Sequence, residues 1–278
     1  MAEGLFGGIL EHIAELRKRA LVIGVTFFVF FGIVITFELR FARVWGMTIP
    51  YIYPDMYNAI AIQFFKFLYV NVAPSYTIAP PAIFTPMSGI MVEMKIAMFI
   101  SLALSMPVIV YQLGKFLAPA LRPREKRFII KIALPATLLF ISGAAFAYLF
   151  VLKFMFDFLY SIGIAMVGFT DPATGAYVYI AYLSIEEFID FTLMILLAFG
   201  LAFELPVIMV GLSGIGLVSP DFWKRNWRYA MVAIFVFGAV ITPDGSGVTM
   251  LMVSLPMVFL YVAGYLVSKR IVSKRKKP

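Results

Sequence analysis

Residues 191–210, FTLMILLAFGLAFELPVIMV, form a run of twenty with one ionisable group, Glu204. At about 1.5 Å per residue, a helix of this length reaches roughly 30 Å, the hydrocarbon thickness of a bilayer. A carboxylate at that depth costs on the order of 2.5–3.5 kcal/mol to insert. Its side chain must therefore face protein, water or a partner rather than acyl chains. Pro206 has no N–H, so the sequence predicts a kink beside the acid.

The rest of the chain fits a polytopic membrane protein. It is 63% hydrophobic with mean hydropathy +0.97, against about 45–50% apolar in soluble domains. With no cysteine, disulfides, thiol catalysis and thiolate metal sites are excluded. A single histidine, His12, leaves too few imidazoles for a metal centre built by one chain. No metal or cofactor is expected. The chain also lacks a phosphate-cradling G-x-x-x-x-G-K-[ST] loop, and no serine or aspartate pair within the spans suggests an intramembrane enzyme.

In chain order, Leu5, Phe6, Ile9, Ile13 and Leu16 recur at helical spacing opposite Glu11, Glu15, Lys18 and Arg19. This predicts an amphipathic helix over 1–19, lying on the membrane surface. It does not read as a signal peptide, because acids precede the apolar run and no small-residue cleavage site follows. Six spans are predicted at 20–37, 90–114, 128–152, 188–217, 229–241 and 248–267, in an all-α, single-domain chain. Long connections fall at 38–89 and 153–183, the first with a short interfacial helix near 57–72. Ser219 before Pro220 is a candidate helix cap.

Lys and Arg are distributed unevenly over the connecting segments. Three lie in the N-terminal segment, five in 115–127, three in 218–228 and six in the C-terminal tail, against three in 38–89 and one in 153–183. Lys95 and Lys131 lie within spans. This asymmetry predicts that both termini are cytoplasmic and that the number of spans is even, which supports the short run at 229–241 as a crossing. The net charge of +8 thus reads as membrane orientation, not as a nucleic-acid surface, and the 269–277 tail as a solvated end drawn to anionic lipid. No inverted repeat of the secondary-transporter kind is visible.

Four ordered patterns carry a resemblance. They are EHIAELRKR at 11–19, SMPVIVYQLGKFLAPALRPREKR at 105–127, FGLAFELP at 199–206 and RYAMVAIFVFGAVITPD at 228–244. Together they resemble TatC, the multi-span receptor subunit of the twin-arginine protein translocase. The resemblance implies a subunit without covalent chemistry. It would bind twin-arginine signal peptides at the cytoplasmic face and recruit single-span TatA-type, and in some systems TatB-type, partners. It would work in an oligomeric complex in the cell membrane and export folded cargo on the proton motive force. The chain departs from the family pattern toward the outer half. Ser88 and Ile90 stand where an acid and an aromatic are common, Val262 replaces an acid, and a glycine-rich turn follows Asp244.

The resemblance implies that Glu15 and Glu125 receive the paired arginines of the signal. A carboxylate accepts two parallel bonds from a guanidinium, which can distinguish Arg-Arg from Lys-Lys by geometry. The bland alternative pairs Glu15 with Arg19 and Glu125 with Lys126. Leu16, Arg17, Phe116 and Pro119 complete the expected surface, with Arg17, Lys18 and Arg19 better suited to orienting the chain and steadying Glu15. Glu204, Gln112, Lys95, Asp244, Pro86 and Pro107 are the candidate intramembrane or partner-facing positions. Within the chain, Glu204 would bond Lys95, Gln112 or a serine; outside it, a partner helix, water or a proton. Glu186, Glu187 and Asp190 read as solvated. The competing reading is a proton- or ion-coupled small-molecule transporter built on Glu204, Glu93 and Lys95.

Overall fold

A computed structural model describes residues 2–44, 47–73, 81–117, 123–167, 169–170, 177–178, 183–242 and 245–276, with only the backbone path given for 2–12, 44, 117, 123–133, 164, 166–167, 169–170, 177–178 and 275–276. Among the described residues helices dominate, and five are long and apolar enough to cross a membrane: Ile13–Thr36, Ser88–Phe116, Leu134–Gly163, Ile185–Gly214 and Gly247–Lys274. The expected fifth span is helix α9, Trp227–Ile241. Its 15 residues reach only about 22 Å at ~1.5 Å each.

Several boundaries differ from expectation. α1 runs unbroken over Ala2–Thr36. The surface helix and first span are one element, because no glycine or proline interrupts 9–23 and both parts share a helical period. α3 is Ser88–Leu117, with Pro107 inside it. The third span begins as α4, Pro123–Phe146, passes through a π-helical stretch at Ala147–Leu152 and continues as α5, Lys153–Val167. Lys153 and Asp157 had made that last part resemble a connection. α10, Gly247–Lys276, carries the basic tail as helix. Ser219 is the N-cap of α8, Pro220–Arg225, but its side chain makes no capping bond.

The fold is mostly helical, as expected, with a few short strands that the sequence reading did not include. β1, Phe37–Val44, pairs antiparallel with β2, Met47–Pro54. Two-residue pieces pair as β3 (Pro81–Ala82) with β6 (Leu183–Ser184), and β4 (Phe169–Thr170) with β5 (Tyr177–Val178).

By contacts the residues group into two compact units. One comprises 31–100 and 144–199. Its core is aromatic: Phe188, fully buried, takes Tyr69 at 5.7 Å and Phe156 at 5.1 Å. Tyr69 belongs to α2, Ile60–Val72, which buries Ala61, Leu68, Tyr69 and Val72. The expected interfacial helix is therefore a packed core element along one stripe. At its base, the buried Glu38 accepts from Arg40 Nε at 2.6 Å and Asn58 Nδ2 at 2.5 Å, and Arg40 lies 4.2 Å over the Tyr53 ring. These contacts hold the Arg40 guanidinium above its ordinary pKa, with the Glu38 hydrogen bond the largest cause.

The other unit comprises 1–30, 101–143 and 200–278. α7, Leu205–Gly214, and α10 approach closely at Gly264, where a Cβ would lie 2.7 Å from Met209 Sδ and 3.0 Å from Pro206 Cα. α7 ends in a left-handed Gly216 (φ 80°), with Leu217 N–H closing on Leu212 O at 3.0 Å, a glycine-terminated cap. Trp223 Nε1 donates to Ser213 Oγ at 2.9 Å and Tyr261 OH donates to Trp223 O at 2.7 Å, which ties α8 to α7 and α10.

Candidate functional site

The signal-binding candidates start from α1. Glu15 is partly exposed and its carboxylate is bonded to the guanidinium of Arg19, one turn on. The pairing expected of an ordinary surface helix is thus formed. Arg19 is the more enclosed partner, at 16% side-chain exposure against 31% for Glu15. Its Nε has no hydrogen-bond partner among the described residues. Leu16 and Arg17 are exposed beside them. Gln112 and Phe116 lie four residues apart, on one face of the last turns of α3, both half-buried. Lys115 places its ammonium 4.6 Å from the Tyr111 ring centre. Glu125 lies in the first turn of α4, and its side chain is outside the described residues, as are Pro119 and Asp244 altogether.

Glu204 occupies the break between α6, Ile185–Phe203, and α7. Its N–H donates to Leu201 O at 3.1 Å, a tightened three-residue turn, and its carbonyl accepts from Ile208 N–H at 2.9 Å. The expected interruption is present, and its cause is the missing donor of Pro206. The Glu204 side chain is 7% exposed, and Oε1 has no hydrogen-bond partner among the described residues. One turn back, a Cβ on Gly200 would meet the Phe140 ring at 2.7 Å, so that ring lies directly against the glycine backbone.

Lys95 was a possible partner for Glu204, but it is committed elsewhere. Its ammonium lies 2.7 Å from Asp190 and 3.3 Å from Glu186. Glu186 also accepts from the buried Ser88 hydroxyl at 3.2 Å, and Ser88 in turn shares a 2.8 Å hydrogen bond with Thr85 beside the exposed Pro86. Glu186 and Asp190, expected to be solvated, are partly exposed and are also paired with Lys95. A visible signal was their spacing of four, which sets both carboxylates on one helical face, ready for one cation. Glu187, on another face, is exposed as expected.

The Glu15, Gln112, Phe116 and Glu204 positions, with the α4 turn carrying Glu125, all belong to the unit of 1–30, 101–143 and 200–278. Pro86 and Lys95 belong to the other. The family model for the Sec-independent protein translocase protein (TatC) matches residues 11–256, almost the whole chain. The chain belongs to the TatC family. The TatC protein of Cenarchaeum symbiosum is 37% identical over 276 residues, covering 99% of this chain and 98% of that protein. The TatC of Aquifex aeolicus is 29% identical, covering 97% and 98% respectively. A crystal structure of the twin arginine translocase receptor TatC superposes with TM-score 0.70 at 29% identity, covering 94% of this chain and 99% of the solved one. A crystal structure of the twin arginine translocase receptor TatC in DDM gives TM-score 0.71 at 28% identity, covering 92% of this chain and 99% of the solved one. Membership in TatC decides between the two readings of the sequence: this is a multi-pass membrane component of Tat protein translocation, not a small-molecule carrier.

Proposed function

We propose that this TatC-family chain is the signal receptor and core subunit of a twin-arginine translocase, and that Glu15 and Glu125 accept the two guanidinium groups of the signal. Leu16, Arg17, Phe116 and Pro119 border that surface, and Gln112 supports it from α3. The observation that carries this reading is the TatC family match over residues 11–256, which includes the partly exposed Glu15, whose carboxylate holds the Arg19 guanidinium. An incoming arginine needs only to replace an identical group. The basic bias of the connecting segments supports a cytoplasmic location for this surface and for both termini, with six crossings in the cell membrane. TatA-type, and where present TatB-type, single-span subunits dock within the membrane around an oligomeric assembly. Glu204, with Pro107 and Asp244, serves that membrane-embedded partner face, and transport draws on the proton motive force without nucleotide.

Purified full-length chain in nanodiscs, titrated with a labelled twin-arginine signal peptide and its Lys-Lys variant, tests the reading. Binding of the arginine form, lost in both Glu15→Gln and Glu125→Gln, is the expected result. Equal affinity for both peptides, or unchanged binding in both variants, refutes it.

A further inference from the structure

The β1–β2 hairpin is apolar where a water-facing hairpin is polar. Antiparallel ribbons normally turn one face to a core and a polar face to solvent, and an isolated two-stranded ribbon is marginal in water. Here cross-strand pairs set Leu39 with Ile52 and Phe41 with Pro50 on one face, and Ala42 with Ile49 on the other. Phe41 is 65% exposed, Met47 68%, Ile49 47% and Ile52 54%. Every residue of β2 is exposed.

Polarity is graded along the ribbon. Its charged residues gather at the base, where Glu38 binds Arg40 and Asn58, and Asp55 lies 3.7 Å from Arg40. Only Arg43 carries charge toward the tip; it is exposed and makes no ion pair among the described residues. The base is fixed at the end of a membrane span. β1 begins at the residue after Thr36, and Asp55 N–H returns to Thr36 O at 3.1 Å.

We propose that this hairpin lies in the membrane interface beside the first span, with Phe41, Met47, Ile49 and Ile52 among phospholipid chains and Arg43 directed to a phosphate. The anchored base holds the ribbon at the depth where chain, headgroup and water meet. Exposed aromatic and aliphatic side chains with a single long cation suit that zone. The tyrosines Tyr51 and Tyr53, both exposed nearer the base, match the interfacial preference of that side chain. Strand addition by a second copy fits less well, because Pro50 and Pro54 remove two donors from β2.

The absence of cysteine permits a direct test. Single cysteines replacing Phe41, Met47 or Ile49 in the full chain are labelled with bimane and reconstituted in phosphatidylcholine vesicles with plain or brominated chains. A label at Phe28, exposed on the first span, and one at Lys224, exposed on α8 between spans, serve as lipid and water references. Hairpin labels are expected to lose emission to brominated lipid to an extent nearer the Phe28 reference than the water reference, and to resist aqueous iodide. Quenching by iodide without a brominated-lipid effect overturns the proposal. So does resistance to both quenchers, which would mean that protein covers the face; disulfide-linked dimers of the unlabelled Phe41→Cys chain would identify the cover as a second copy. Three labelled sites keep the test decisive if one variant elutes as aggregate. The outcome is independent of signal binding and of which side of the membrane the hairpin occupies.

Discussion

The Arg19 guanidinium donates to the Glu15 carboxylate one turn earlier on α1, and Arg19 is the more buried of the two. The bond both presents Glu15 and competes for it. Exposed pairs at this spacing are worth ~0.3–0.5 kcal/mol, so release of the carboxylate costs an arriving arginine little. Arg19→Gln is expected to tighten twin-arginine peptide binding about twofold, by the same magnitude, and to narrow the preference over Lys-Lys. Titration of both peptides against both chains measures this. Weaker binding of both peptides would make Arg19 a scaffold for Glu15 rather than its competitor.

Glu204 sits 7% exposed at a helix break, with Oε1 unpartnered among the described residues. A carboxyl that held two helices together would lose stability on replacement, because its partner would be left unsatisfied. With no such partner, Glu204→Gln is expected to leave the thermal unfolding midpoint in detergent unchanged within a degree or two while export of a twin-arginine reporter falls at least several-fold. A drop in the midpoint with normal export would return the residue to a structural role.

The membrane-crossing character of most of this chain was legible because hydropathy and length suffice for it, and the break at Glu204 because Pro206 forces it. Local pattern was misleading where two elements share one period, as at the join of 1–19 with 20–36. It was also misleading where charges interrupt a helix without breaking it, as Lys153 and Asp157 do in α5. The hairpin had a signal that was passed over: Phe37, Leu39 and Phe41 alternate with Glu38 and Arg40, a period of two. The Lys95–Asp190 contact joins residues 95 apart in sequence, and only tertiary packing could reveal it.

Lys95 contacts Glu186 and Asp190 at once, with side-chain exposures of 29%, 36% and 50% respectively. Partial exposure limits the strength of each pair, so Lys95→Met is expected to cost about 1 kcal/mol. The loss should shrink as salt rises from 0.05 to 0.5 M, since screening weakens both native attractions and the residual repulsion of two carboxylates one turn apart. Combining Lys95→Met with Asp190→Asn should recover part of the stability, in thermal melts across that salt range. A salt-independent loss would instead point to packing of the lysine stem.

Gly264 is the contact on which the α7–α10 packing turns. A Cβ there would lie 2.7 Å from Met209 Sδ and 3.0 Å from Pro206 Cα. The sulfur ends a flexible side chain and can move, whereas the proline backbone cannot without shifting the helix that begins beside Glu204. Gly264→Val is therefore expected to destabilise by about 1–3 kcal/mol, the usual range for overpacking, and to reduce export along with it. Gly264→Ala should cost less, and adding Met209→Ala should restore only part of the loss, because the Pro206 contact remains. Gly32→Ala is the control: no atom lies within 4 Å of its Cβ position, and a helical alanine is favoured over glycine by about 0.8–1.0 kcal/mol. Thermal melts of the four variants decide the matter. If Met209→Ala fully rescues Gly264→Ala, the helices have moved apart and Pro206 does not set their distance.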